Sequence, residues 1–200
     1  MTAPTDIHMT LVKRILRYVQ GTLSYGLTFT SGSSVLVGYS DADWAGDTNT
    51  RRSTTGYVVF LGQNPISWSS RKQSYVSRSS TEAEYRALAN CAANISCIRY
   101  VLQDLHNVVP EAPVLHSDNL SALALSSNPV LHSIREWVQR HDLVVRYVNT
   151  EDQVADIFTK GLHSPLFLKH CHNLSVAPAT TAIEGGMIGK RHVYNADMAC

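Results

Sequence analysis

The stretch SSTEAEYRALANCAANISCIRYVLQDL, residues 79–105, decides the fold. Ser79-Ser80-Thr81-Glu82 is a helix-start pattern, in which a hydroxyl and a carboxylate cover backbone N–H groups that have no partner inside the helix. Beyond it, Ala87, Leu88, Cys91, Ile95, Ile98, Leu102 and Leu105 recur at helical spacing, so one stripe of a long helix is apolar and faces a core. Pro110 and Pro113 close this region.

Working outward, strands lie on both sides. Upstream, Val35, Val37 and Tyr39 alternate toward Asp41, and the Asp/Gly/Asn/Thr-rich segment 43–50 reads as a loop. Tyr57–Leu61 and Ile66–Ser69 read as two strands, joined by the turn-like Gly62-Gln63-Asn64-Pro65 and hence an antiparallel hairpin. Downstream, Val114 and Leu115 start a short strand toward Asp118, Ala122–Leu125 a short helix, and Leu143–Val148 a last strand. Thr150-Glu151-Asp152-Gln153 repeats the helix-start pattern, with Val154, Ile157, Phe158 and Leu162 as the apolar side of a closing helix. Three strands, helix, strand, helix, strand, helix is the order of an α/β fold with a mixed five-stranded sheet flanked by helices. Before it, Met9, Val12, Ile15, Leu16 and Val19 mark an amphipathic helix over His8–Gln20, with Lys13, Arg14 and Arg17 between them. Leu27–Phe29 forms a possible strand, and 31–34 a loop. The domain proper is expected over 35–162, with the helix and linker at 1–34 and a loose tail at 177–200, where periodicity stops.

With 44% hydrophobic and 16% charged residues, the 200-residue chain fits one globular domain plus a short addition. A formal net charge of +1 excludes wholesale electrostatic attraction to nucleic acid and leaves only a local patch for that role. Cys91, Cys97, Cys171 and Cys200 form no CxxC pair, which suits packing in a reducing intracellular compartment, cytoplasmic or nuclear, rather than a secreted scaffold. No apolar run approaches the ~20 residues that span a bilayer, and no membrane partner is expected.

Four carboxylates stand where a core prefers Leu. Glu84 lies three, four and seven residues before Ala87, Leu88 and Cys91, on the helix face that is to be buried. Asp41 and Asp118 end apolar strands, at the carboxyl edge where open sheets place ligands. Asp156 borders the apolar side of the closing helix. Taken singly, each has a plainer use: helix-dipole or capping for Glu84, turn or cap for Asp41 and Asp118, solvent for Asp156. Gathered together, they would repel one another and need cations. Oxygen-only ligands point to Mg²⁺ or Mn²⁺, and two such ions about 3.5–4 Å apart serve phosphoryl transfer. His170-Cys171-His172 is a weaker zinc hint whose spacing fits no common site.

Tyr39-Ser40-Asp41-Ala42-Asp43-Trp44-Ala45-Gly46 with Arg51-Arg52-Ser53-Thr54-Thr55-Gly56-Tyr57 resembles the ribonuclease H domain of copia-type LTR-retrotransposon Pol polyproteins. Val76 to Leu88, Ser117-Asp118-Asn119 and Thr150 to Lys160 are similar to that family's later motifs. The likeness runs from about His8 to Val176, so that 163–176 is a family-like extension. It implies a ribonuclease H-like fold and metal-dependent endonucleolytic hydrolysis of the RNA strand of RNA/DNA hybrids. Asp41, Glu84, Asp118 and Asp156 are then the catalytic and metal-binding quartet for two Mg²⁺ or Mn²⁺ ions, with Asp43, Glu82 and Asp152 as second choices. Implied partners are the hybrid, read by shape and 2′-hydroxyls, and the reverse transcriptase portion of the parent polyprotein, whose connection the first helix resembles. Arg51, Arg52, Arg71, Lys72 and Arg78 are candidate phosphate contacts or, equally, solvated surface charge.

Two features depart from the family. Nothing resembles the reverse transcriptase core, so the chain reads as a fragment. Around Ser133 a basic stretch is missing, an internal deletion expected to shorten or loosen the crossover before the last strand and to unsettle Asp156. An inactive remnant or a nucleic-acid-binding module is therefore the alternative. A serine hydrolase, suggested by Gly38-Tyr39-Ser40-Asp41-Ala42, lacks the helix that must follow such an elbow.

Overall fold

The structure, a computed structural model, describes residues 3–126, 132–178 and 193–194. Two compact units are distinguished, Thr30–Leu174 and the described parts of Met1–Phe29 with Ser175–Cys200.

In the smaller unit, helix α1 (Asp6–Thr22) is capped by Thr5, and strand β1 (Tyr25–Thr28) follows it. No residue of α1 is buried. β1 lies between β7 (Val176–Pro178) and β8 (Val193–Tyr194), antiparallel to both. The tail expected from 177 onward otherwise falls outside the described residues.

The larger unit is the expected mixed sheet. Strands β2 (Leu36–Asp43), β3 (Thr54–Leu61) and β4 (Asn64–Lys72) form an antiparallel meander, and β5 (Val114–Ser117) and β6 (Val144–Tyr147) add in parallel, in the order β4-β3-β2-β5-β6. The hairpin turns on Gly62-Gln63 alone, because Gly62 takes a left-handed φ of 62° that a side chain would resist. Helix α2 (Ser80–Asp104) starts at Ser79, whose hydroxyl accepts from the Glu82 N–H, and packs Leu88, Cys91, Ala92 and Ile95 onto Leu36, Val59 and Leu115.

The alternating Val37 and Tyr39 are not on the face of β2 that meets α2. Leu36, Gly38 and Ser40 are buried there, whereas Val37 and Tyr39 look to the other side, where Tyr39 stacks on His116. The helix comes so close that a Cβ on Gly38 would sit 2.8 Å from Ile95 Cδ1, so a glycine fits at that point of the strand.

Between β5 and β6 stand helices α3 (Leu120–Ser126) and α4 (His132–Gln139), two pieces where one short helix was expected. Residues 127–131, beside the expected deletion, lie outside the described residues. The short crossover is anchored nonetheless: Ile134 is fully buried, with Trp137 and Val138 packed against the same core, and β6 pairs with β5 along its whole length.

The closing helix is also different. Thr150–Asp152 and Val154–Phe158 are two 3₁₀ turns, and the α-helix, α5, comes only at Ser164–Asn173. Gln153, expected in a capping box, is fully buried and its amide reaches across to donate to the Ser40 carbonyl at 3.0 Å. The second turn, hereafter the strap, lies directly on Gly56 of β3, with no room for a Cβ, and the narrower 3₁₀ form fits there.

Candidate metal centre

Asp41, Glu84 and Asp118 meet at one edge of the sheet, each offering a carboxylate oxygen within 4.8 Å of the others. Asp41 comes from the end of β2, Asp118 from just after β5, and Glu84 from the second turn of α2. Small residues make the meeting possible, since Ala42 packs against Ala83 and Ala87, so that the start of α2 closes on the end of β2.

Each carboxylate is held differently. Asp41 is fully buried, accepting at Oδ2 from the Thr159 hydroxyl and at Oδ1 from Lys160 Nζ at 3.1 Å. Asp118, half-buried, accepts from the Thr150 hydroxyl at 3.0 Å. Glu84 is 7% exposed, and its buried Oε2 has no hydrogen-bond partner among the described residues. Burial, then the charges of Asp41 and Asp118, push its carboxyl up to about 9, so the metal-free site holds a proton there.

Asp156 is not in that trio. It lies buried on the strap with Oδ1 2.8 Å from Lys160 Nζ, so that Lys160 joins it to Asp41. Its carboxyl is pushed up to about 6, chiefly by burial, against the Lys160 hydrogen bond and with the Asp41 charge adding to the rise. Burial opposes the charge on Lys160 in turn, yet Asp41 and Asp156 outweigh it and hold the ammonium above the ordinary lysine value.

The second choices are engaged elsewhere. Glu82 accepts from the Arg78 N–H and from Arg86, both at 2.8 Å, and Asp152 pairs with Lys169 at 2.7 Å. Asp43 belongs to no cluster among the described residues. Of the five basic candidates, Arg51, Arg71, Lys72 and Arg78 are exposed. Lys72 pairs with Asp47, and Arg52 spends its donors on the Gln73 and Ser74 carbonyls at 2.7 and 2.9 Å, bracing a loop. His170, Cys171 and His172 do not converge on a site among the described residues, for His170 is buried and His172 exposed. Ser40 is buried within β2, not raised on an elbow. Cys91, Cys97 and Cys171 are free thiols, and no described helix is long and apolar enough to cross a membrane.

Thr150, Gln153, Thr159 and Lys160 complete the surroundings without having been singled out as site residues. For Lys160 a signal exists: it follows Asp156 by four residues, a spacing at which opposite charges meet on a helical turn.

Carboxylate oxygens alone, with one of them buried and unpartnered, suit a hard divalent cation such as Mg²⁺ or Mn²⁺ and not zinc. Fold and site thus define an α/β domain with an acidic centre at the carboxyl edge of its sheet. No protein-family model matches the chain. In a match 188 residues long that covers 88% of the chain, it is 44% identical to the retrovirus-related Pol polyprotein from transposon RE2 of Arabidopsis thaliana, and equally to that from transposon RE1. The chain is a homologue of one segment of retrotransposon Pol polyproteins, as its motifs implied, and spans 13% of the length of these relatives. Among solved structures it is similar to LC11-RNase H1 from compost, at 16% identity and a TM-score of 0.47, over 63% of this chain and 93% of that one.

Proposed function

We propose that the Thr30–Leu174 unit is a ribonuclease H-type nuclease that hydrolyses the RNA strand of RNA/DNA hybrids with Mg²⁺ or Mn²⁺. The convergence of Asp41, Glu84 and Asp118 from three separate elements carries this reading, and homology to Pol polyproteins supports it. Divalent ions at such a site supply a nucleophile from water at neutral pH and offset charge on the scissile phosphate. The chain's own part is to prepare the cage. Thr159 and Lys160 fix the two oxygens of Asp41, Thr150 orients Asp118, and Glu84 gives up its proton to become a ligand. Asp156 sits one lysine away, as the fourth member.

The exposed Arg51, Arg71 and Arg78 are assigned to phosphate contacts, with the groove read by shape and 2′-hydroxyls. Helix α1, whose Ile7, Leu11, Ile15 and Leu16 are all exposed, is assigned to the connection with the reverse transcriptase portion of a parent polyprotein. An intracellular location, cytoplasmic or nuclear, goes with the free thiols.

Incubation of the purified chain with a strand-labelled hybrid tests the reading. Cleavage of the RNA strand with Mg²⁺ or Mn²⁺, none with chelator, and intact single-stranded DNA are expected. A folded, metal-loaded protein that leaves the hybrid whole would establish the inactive-remnant or binding-module alternative instead.

A further inference from the structure

Among the described residues, the cation that reaches the acidic centre is Lys160. Its ammonium lies 3.1 Å from Asp41 and 2.8 Å from Asp156, two carboxylates that are otherwise buried, while the lysine side chain keeps 38% of its surface exposed. Asp41 therefore belongs both to the Asp41–Glu84–Asp118 triad and to the bridge that Lys160 makes to Asp156.

We propose that the Lys160 ammonium holds the place of a second divalent ion between Asp41 and Asp156, so that the free domain takes one ion in the triad and a second only when Lys160 swings out. This rests on the triad being a divalent-cation site. Charge counting makes the two occupants alternatives. Four ionised carboxylates are balanced by two divalent ions without the ammonium, and a second ion between Asp41 and Asp156 would claim the two oxygens that the ammonium holds and be repelled by its like charge. The geometry permits the exchange. The Lys160 backbone is tied to the strap by its N–H to the Asp156 carbonyl at 2.9 Å, but the four-carbon stem can carry the ammonium to solvent while both carboxylates stay in place. Lys160 is thus a positioning residue: it keeps Asp41 and Asp156 apart from each other's charge before ions arrive, and sets the concentration at which the second ion enters.

The test is Mn²⁺ binding to the full chain, followed by the EPR signal of free Mn²⁺, together with thermal melting, for the parent, Lys160→Met and Lys160→Gln. The parent is expected to bind one Mn²⁺ readily and a second only at much higher concentration. The variants are expected to bind two, the second at least about tenfold more tightly than in the parent. Metal-free variants should melt below the parent and be raised by Mn²⁺ further than the parent is, a rescue that a merely structural lysine would not show. Should neither variant fold, amine-reactive labelling of Lys160 in the parent, read by mass spectrometry, decides: labelling unchanged by the first equivalent of Mn²⁺ and rising with the second supports the exchange. A parent that takes two ions with equal ease, variants that still take one, or labelling indifferent to the second ion overturns it. Failure of the parent and folded variants alike to bind any Mn²⁺ would overturn the metal-site reading itself, and this proposal with it.

Discussion

Gly56→Ala is the substitution that most directly probes how the site is held. Gly56 pairs with Asp41 across β2 and β3, and the strap lies on it. A Cβ there would stand 2.6 Å from Thr159 Cγ2, 2.9 Å from Phe158 Cβ and 3.1 Å from the Ala155 carbonyl oxygen. Carbon atoms rest at about 3.5–4.0 Å, so the strap must retreat by roughly 0.5–1 Å. Turning the Thr159 side chain relieves only the first clash; the other two belong to the backbone or its first carbon. Overpacking of this kind costs about 1–3 kcal/mol, which for a chain of this size lowers the melting temperature by about 2–12 °C. Asp156, Thr159 and Lys160 ride on the strap and move away from Asp41, and a displacement near 1 Å at a reacting centre costs about a hundredfold in rate. The triad does not depend on the strap for its ligands, so Mn²⁺ binding there should persist. The assays are thermal melting and initial rates of hybrid cleavage. Gly21→Ala, on the exposed α1 with nothing within 4 Å of the new Cβ, is the control and should not lower the melting temperature. If Gly56→Ala melts and cuts like the parent, the strap is not held against β3 as described.

Ser79→Ala removes the hydroxyl that receives the Glu82 N–H at 3.1 Å, and denaturant unfolding should show a loss of about 1 kcal/mol. Asp41→Asn preserves shape but removes a charged ligand; hybrid cleavage should fall by at least about a hundredfold with no comparable fall in melting temperature, and parent-like cleavage would remove Asp41 from the site. Glu84 holds its proton up to about 9 in the folded chain against an ordinary value of 4.5, so between these pH values the folded state binds more protons than the unfolded one. Stability of the metal-free protein should accordingly fall as pH rises from 7 to 8.5, above the range in which His116 and His170, both lowered by burial, pull the other way, and by no more than about 1.4 kcal/mol per unit; urea unfolding in chelator that shows a rise over that range instead would refute the buried, protonated Glu84.

Much of the sheet was legible because its signals are local. The alternation into Asp41, the turn at Gly62 and the stripe of α2 each declare themselves within a dozen residues, and Glu84 stood out as a carboxylate on an apolar stripe. What escaped depends on pairs distant in sequence. Which face of β2 meets α2 is decided by the close approach of Ile95 to Gly38, and alternation alone ranks Val37 and Tyr39 higher. The strap reads as a continuing helix until Gln153 is seen tied to Ser40. Arg52 reads as a phosphate ligand until the Gln73 and Ser74 carbonyls are found to occupy it. The Lys160–Asp156 spacing was visible, but its link to Asp41 was not.

The tie between Gln153 and Ser40 joins residues 113 positions apart, and Lys160 reaches Asp41 over 119. Loops of that span close late, since their entropy must be met before their contacts reward it. During synthesis the central strand therefore leaves the ribosome long before its acidic end can meet the lysine that shields it. A nascent chain halted just ahead of residue 150 holds all five strands of the sheet yet carries Asp41 and Glu84 without Lys160, and only completion of the strap gives that edge its native balance of charge. Closure of the acidic edge is thus a late event on the folding route.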